Sequence, residues 1–151
     1  QMYEERLGIE PPADVEVVEL VELLADHYEE GAGNLPRNGA SGAYAYLDPT
    51  HAVRLPDRHE APRTLLEAVR GGERKELFWR KERAHPAGNL ALEYTHPELA
   101  TSLTHARLED ARDVGAGTVF TEDASTLHHL KRHSDAGVIE VVSLFGYLAE
   151  S

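Results

Sequence analysis

The chain has 151 residues, a mass of 16.7 kDa and no segment typical of a linker, so we expect a single domain over residues 1–151. Its 15 basic and 27 acidic residues give a formal net charge of −12, which disfavours nucleic acid and anionic lipid as partners. The lack of cysteine excludes disulfides, thiolate catalysis and thiolate-bound clusters, so a metal ion would need His, Asp or Glu as ligands.

The distribution of apolar residues predicts neither membrane insertion nor export. Charged residues interrupt every apolar run well before the roughly 20 residues that a spanning helix needs. The start, Gln1–Arg6, lacks the basic segment and apolar core of a signal peptide. We therefore expect no membrane span and a cytoplasmic location.

In the first half of the chain, the predicted elements alternate between strand and helix. Val15–Leu20 alternates Val with Glu and leads into apolar residues at helical spacing, which predicts a strand followed by a helix. A loop rich in Gly and Asn over 34–41 precedes a second strand, Ala43–Leu47. Pro62 then begins a short helix, and Glu76–Trp79 is predicted to be a brief strand.

The second half continues this alternation. Thr95 and Glu98 have capping-box spacing, which predicts a long helix that ends at Gly115. We predict the remaining elements to be a strand at Thr118–Thr121, a helix at Ala124–His133 and a strand at Val138–Leu144 that continues into a helical turn. The pattern predicts an α/β domain of three layers, with a mainly parallel sheet flanked by helices and its functional loops at the carboxyl ends of the strands.

Three segments of the chain share the pattern of a known cysteine-rich domain. Residues 46–54 read Tyr-Leu-Asp-Pro-Thr-His-Ala-Val-Arg, which resembles the Tyr-x-Asp-Pro-Cys-His-x-x-Arg motif of the CCG domain in heterodisulfide reductase and glycolate or lactate oxidase type iron–sulfur proteins. Residues 86–88, Pro-Ala-Gly, stand where that family has Cys-Cys-Gly, and residues 121–126 stand where it has Thr-x-Cys-Pro-x-Cys. The segments occur in the family's order and at its usual spacing.

The resemblance implies a CCG-like fold without the family's cofactor. Its five cluster cysteines correspond here to Thr50, Pro86, Ala87, Asp123 and Thr126, none of which supplies a thiolate. Hydroxyl and carboxylate oxygens are poor ligands for an iron–sulfur cluster, so we expect no cluster and no other bound cofactor.

The implied function is that of an oxidoreductase subunit with a degenerate iron–sulfur site. Such a subunit would be a structural or docking module in a redox assembly, or one degenerate half of a larger iron–sulfur protein, with no catalysis of its own. The expected partner is a protein subunit of a redox complex or a cysteine-bearing CCG domain, and the chain could in addition form a homo-oligomer.

A second interpretation assigns a new ligand to the emptied cavity. If the loops fold as in the family, His51, His85 and Asp123 surround it, and two imidazoles with one carboxylate suit zinc or non-haem iron. Asp123 is equally well placed to cap the helix that begins at Ala124. A third interpretation is an enzyme in which His85 is the base and Asp123 orients it.

Other polar residues have two readings each. His129 and His133, four residues apart on a predicted helix, would form a surface metal site or offset the helix dipole. Arg54 and Arg63 would face an anion in the cavity or be solvated.

Overall fold

The computed structural model describes residues 8, 12, 14–29, 40–134 and 138–150. Its strands are β1 (Tyr44–Tyr46), β2 (Arg74–Lys75), β3 (Thr118–Thr121) and β4 (Glu140–Ser143). The α-helices of the described residues are α1 (Leu20–Glu29), α2 (Ala61–Val69), α3 (Ala91–Thr95), α4 (Pro97–Asp113), α5 (Ala124–His133) and α6 (Leu144–Ala149). Short 3-10 helices lie at Thr50–Arg54, Pro56–Arg58 and Lys81–Arg83.

The four strands form one parallel sheet in the order β2-β1-β3-β4. In its register Ala45 pairs with Val119, and Val119 pairs with Val141. Parallel neighbours need crossover connections, and α2, α4 and α5 lie in the segments between successive strands. The α/β three-layer fold predicted from the sequence is confirmed.

Side-chain alternation along the strands divides the core into two halves. Ala45 and Val119 point to one face, where they pack with Leu108 of α4 and Leu130 of α5. Tyr44, Tyr46 and Phe120 point to the other face, where they pack with apolar residues of α1, α2 and α6. A strand buried on both faces needs no polar alternation, which is why β3 consists of four buried residues.

Two predicted strands are wrong. Residues 15–19 pair with no strand of the described part of the chain, and Val17 is 82% exposed, so the first element among the described residues is the helix that begins at Leu20. The strand predicted at Glu76–Trp79 lies two residues earlier, at Arg74–Lys75. Beyond it, the backbone N–H groups of Phe78 and Trp79 donate to the Asp110 carboxylate at 2.8 and 3.1 Å instead of to a neighbouring strand.

The long helix α4 is present, but the predicted capping box is not. Thr95 ends α3 and donates its hydroxyl to the carbonyl of Ala91, and Pro97 occupies the first turn of α4. Of the loop predicted over 34–41, residues 34–39 lie outside the described residues. No helix among the described residues is long and apolar enough to cross a membrane.

Candidate functional site

A cleft of about 530 Å³ lies where β1 and β3 end. The two strands are neighbours in the sheet, but the chain continues from β1 to β2 on one side and from β3 to β4 on the other. Their loops therefore diverge and leave a crevice, which is the usual ligand position in open parallel sheets. Thr50, His51, Asn89, Glu122 and Asp123 contribute polar groups to its lining.

The loop after β1 is held by a buried ion pair. Asp48 accepts hydrogen bonds from Arg63 Nη1 at 3.0 Å and Nη2 at 2.8 Å, and from the backbone N–H of Lys81 at 3.0 Å. Arg63 also donates to Glu76 at 3.0 and 3.1 Å. Burial opposes the charge of Arg63, but its bonds to Asp48 and Glu76 outweigh that effect and raise its pKa. Arg63 is therefore neither solvated nor free to face an anion, contrary to both predictions for it.

The loop after β3 is organised by Asp123. Its carboxylate accepts hydrogen bonds from the N–H groups of Ser125 at 3.1 Å and Thr126 at 3.2 Å, and from the Thr126 hydroxyl at 2.5 Å. Burial raises the pKa of Asp123, but these hydrogen bonds have the larger effect and hold the pKa below its usual value. The interpretation of Asp123 as the N-cap of α5 is confirmed.

A third loop reaches the cleft because Gly88 lets it pack closely on α4. Gly88 has a φ of +95°, and a Cβ atom there would lie 2.2 Å from the carbonyl oxygen of Ala100. The next residue, Asn89, lines the cleft and donates to Ser125 Oγ at 2.9 Å and to Asp123 at 3.4 Å. The loops after β1 and β3 and the loop around Gly88 therefore meet at one end of the sheet.

The five positions that the resemblance assigns to cluster cysteines have different environments. Thr50 and Asp123 line the cleft, and Thr126 is buried behind Asp123. Ala87 is buried in the core on the α4 and α5 side of the sheet, and Pro86 is exposed.

The three predicted metal ligands do not come together as one set. His51 and Asp123 line the cleft, whereas the ring of His85 packs on Trp79 with centroids 4.2 Å apart. His51 Nε2 lies 3.7 Å from Glu122 Oε1, and no group of three His, Asp or Glu side chains that could hold a metal ion occurs among the described residues.

The prediction of a surface site at His129 is wrong. This side chain is 2% exposed, with Nε2 at 2.7 Å from Thr104 Oγ1 and Nδ1 at 2.9 Å from Glu93 Oε1. Burial lowers the pKa of His129, although Glu93 partly opposes that effect.

Sequence reasoning missed Arg58 and Glu122. Arg58 is buried and donates from Nη2 to both oxygens of Glu122, at 2.8 and 3.0 Å, and its Nη2 lies 3.5 Å from Glu19 Oε2. Burial opposes the charge of Arg58, but its hydrogen bond and charge interaction with Glu122, together with Tyr46 and Glu19, outweigh that effect and raise its pKa. The position of Glu122 directly after β3 was a signal, whereas nothing in the sequence links it to Arg58, which lies 64 residues away.

The sequence matches no family model, and no curated protein or solved structure matches it. We therefore infer what the cleft can bind from the side chains that line it. The hydroxyl, imidazole, amide and carboxylate groups offer oxygen and nitrogen atoms and no sulfur, and the guanidinium of Arg58 only donates hydrogen bonds. Such groups suit the hydrogen bonding of a polar molecule or of a partner's backbone.

Proposed function

We propose that this protein is a cluster-free counterpart of the CCG domain and is a structural or docking module of an iron–sulfur redox assembly of the heterodisulfide reductase or lactate and glycolate oxidation type. Its partner in this proposal is a subunit of that assembly or a cysteine-bearing CCG domain. The chain itself contributes no redox centre.

One observation carries the proposal. The three loops that would hold a cluster meet at the cleft, but hydrogen bonds already join them: Arg58 donates to Glu122, and Asn89 donates to Ser125. Asp123 caps α5 and accepts a hydrogen bond from the Thr126 hydroxyl. Asn89 joins the loop around Gly88 to the loop after β3. A site whose polar groups satisfy each other keeps its shape without a cofactor, as a docking surface requires.

Leu90 makes the rim of this cleft suitable for protein contact. The residue lines the cleft and is 64% exposed, so a partner gains apolar contact there beside the polar groups. A few residues carry most of the binding energy of an interface, and we take Leu90 as one of them here.

Purified iron–sulfur subunits with a cysteine-bearing CCG domain provide the test, with binding measured by biolayer interferometry. We expect Leu90→Asp to weaken binding by about tenfold or more, since it removes an apolar anchor and adds a charge. The matched control is Leu99→Asp, which changes another exposed leucine, on α4, and leaves binding intact. Absence of binding to every such subunit, or equal effects of the two variants, contradicts docking through the cleft.

A second candidate function is the binding of a metal or small ligand in the same cleft. The volume of the cleft and its mixture of charged and apolar lining groups favour it. Because His85 lies against Trp79 and Asp123 caps α5, a small polar molecule fits this arrangement better than a metal ion bound by His51, His85 and Asp123.

His51→Ala and His85→Ala separate the two kinds of ligand. For a small polar molecule in the cleft, His51→Ala reduces the thermal shift that the ligand causes, and His85→Ala does not. For a metal ion held by the predicted set, both variants lose metal in elemental analysis. If neither variant changes the metal content or any thermal shift, this candidate function is wrong.

A further inference from the structure

A groove between α1 and α2 carries one sign of charge. Its volume is about 330 Å³, and its lining includes the apolar side chains of Val18 and Leu23, both about half exposed. We call it the acidic groove. Its charged lining residues are all carboxylates, and among the described residues no Lys, Arg or His lines it. These carboxylates are Glu22, Asp26, Asp57 and Glu60.

The segment 78–83 carries the opposite charge, and we call it the basic turn. It contains Arg80, Lys81 and Arg83, with Glu82 as its one acidic residue. Phe78 is 55% exposed and lies under the guanidinium of Arg83, 5.1 Å from it. The turn therefore presents an aromatic ring and cations together.

A buried arginine beneath the basic turn lacks a full set of hydrogen-bond partners. The guanidinium of Arg107 lies 5.4 Å from the centre of the Trp79 ring. Its Nε and Nη1 atoms are buried and have no hydrogen-bond partner within the described residues. The carboxylate of Asp110 compensates this charge in part. A further carboxylate from outside the chain would offset part of the remaining cost of burying it.

The acidic groove and the basic turn are adjacent. Lys81 Nζ forms an ion pair with Glu60, which lines the groove, so the two charges occupy one continuous surface. A two-fold dimer requires one surface that is complementary to itself. We propose that two copies of this chain form such a dimer, with the basic turn of each copy seated in the acidic groove of the other.

The composition of this surface suits an interface between copies. Val18, Leu23 and Phe78 provide apolar contact, and the charged residues of both parts surround them. The net charge of −12 opposes association in general, but at physiological salt charges more than about 8 Å apart are largely screened. Local pairing therefore dominates, and the inference is independent of any ligand or partner at the cleft.

Charge reversal on each part of the surface tests the dimer. Asp26→Lys makes the groove less acidic, and Arg83→Glu makes the turn less basic; both residues are exposed, so the fold tolerates the changes. Sedimentation velocity between about 1 and 300 µM covers the affinities typical of small reversible interfaces. Glu109→Lys is the control, because Glu109 is an exposed carboxylate on α4 that lines a different pocket, with His105 and His133. Circular dichroism checks that each variant is folded.

We expect the unmodified chain and Glu109→Lys to sediment as dimers at the upper concentrations. Each reversal alone weakens dimerisation by about tenfold or more. An equal mixture of Asp26→Lys and Arg83→Glu restores it, because both halves of the mixed interface then pair opposite charges. A monomer of 16.7 kDa at all concentrations overturns the proposal. Charge reversals that leave the dimer unchanged also overturn it. A chain that stays monomeric but cosediments with phosphatidylserine vesicles in a way that requires Arg83 overturns it as well.

Discussion

Removing the charge of Asp48 tests the largest single electrostatic contribution that we assign to the fold. Asp48 is 2% exposed and Arg63 is 1% exposed, and two hydrogen bonds of 3.0 and 2.8 Å join them. Asp48→Asn preserves the shape but leaves a buried guanidinium with Glu76 as its remaining carboxylate partner. Breaking one side of a buried ion pair costs about 3–5 kcal/mol. For a domain of this size, that corresponds to a fall of about 6–20 °C in Tm.

Urea denaturation followed by far-UV circular dichroism measures this loss. The control is Glu76→Gln, for which we expect about 1 kcal/mol or less because Glu76 is partly exposed. Arg63→Met combined with Asp48→Asn costs less than the sum of the two single changes, since no buried charge is then left alone. A loss for Asp48→Asn below about 1 kcal/mol, or equal to that of Glu76→Gln, refutes the reasoning.

Three further predictions concern the loops and α5. Asp123→Ala lowers the free energy of unfolding by about 1–2 kcal/mol. Because the pKa of Asp123 is lowered in the fold, the unmodified protein loses stability as the pH falls below about 4. Urea titrations of the variant at several pH values lack that loss. Because the pKa of His129 is lowered in the fold, the unfolded state binds a proton more readily, and the free energy of unfolding falls as the pH drops below about 6.5. His129→Gln removes this part of the pH dependence in urea titrations, and an unchanged pH dependence would contradict the described burial of His129. In thermal melts Gly115→Ala, with a φ of +75° and open space, costs about 1–2 kcal/mol. Gly88→Ala costs clearly more because of its clash with Ala100, and equal losses would contradict the packing described for that loop.

The sequence predicted most helices and strands, because in these elements the residues with the apolar pattern are also the residues that the fold buries. β3 and α5 have the predicted bounds, since a buried apolar run and an Asp cap specify them locally. Residues 15–19 have an equally good strand pattern, but a strand also needs a neighbour with which to pair. At Glu76–Trp79, the carboxylate of Asp110, more than 30 residues later in the chain, takes the N–H groups of Phe78 and Trp79. Such tertiary contacts leave no local signal.

The candidate site was predictable to the same extent. Thr50 and Asp123 lie in the loops that follow β1 and β3, so their place at one end of the sheet follows from the parallel topology. The position of His85 depends on its contact with Trp79, which is a matter of side-chain packing. The pairing of Arg58 with Glu122 joins distant segments and becomes visible only in the structure.

The most direct test of the central proposal is to place cysteine at Thr50, Pro86, Ala87, Asp123 and Thr126, and to measure iron content and absorption after anaerobic incubation with iron and sulfide. Thiolates are the ligands that iron–sulfur clusters need. If the chain is a CCG-like domain that lost its cluster ligands, the five-cysteine variant binds iron with a sulfide-to-iron charge-transfer band, and the unmodified protein does not. A folded five-cysteine variant without iron, or a cluster in the unmodified protein, contradicts the proposal.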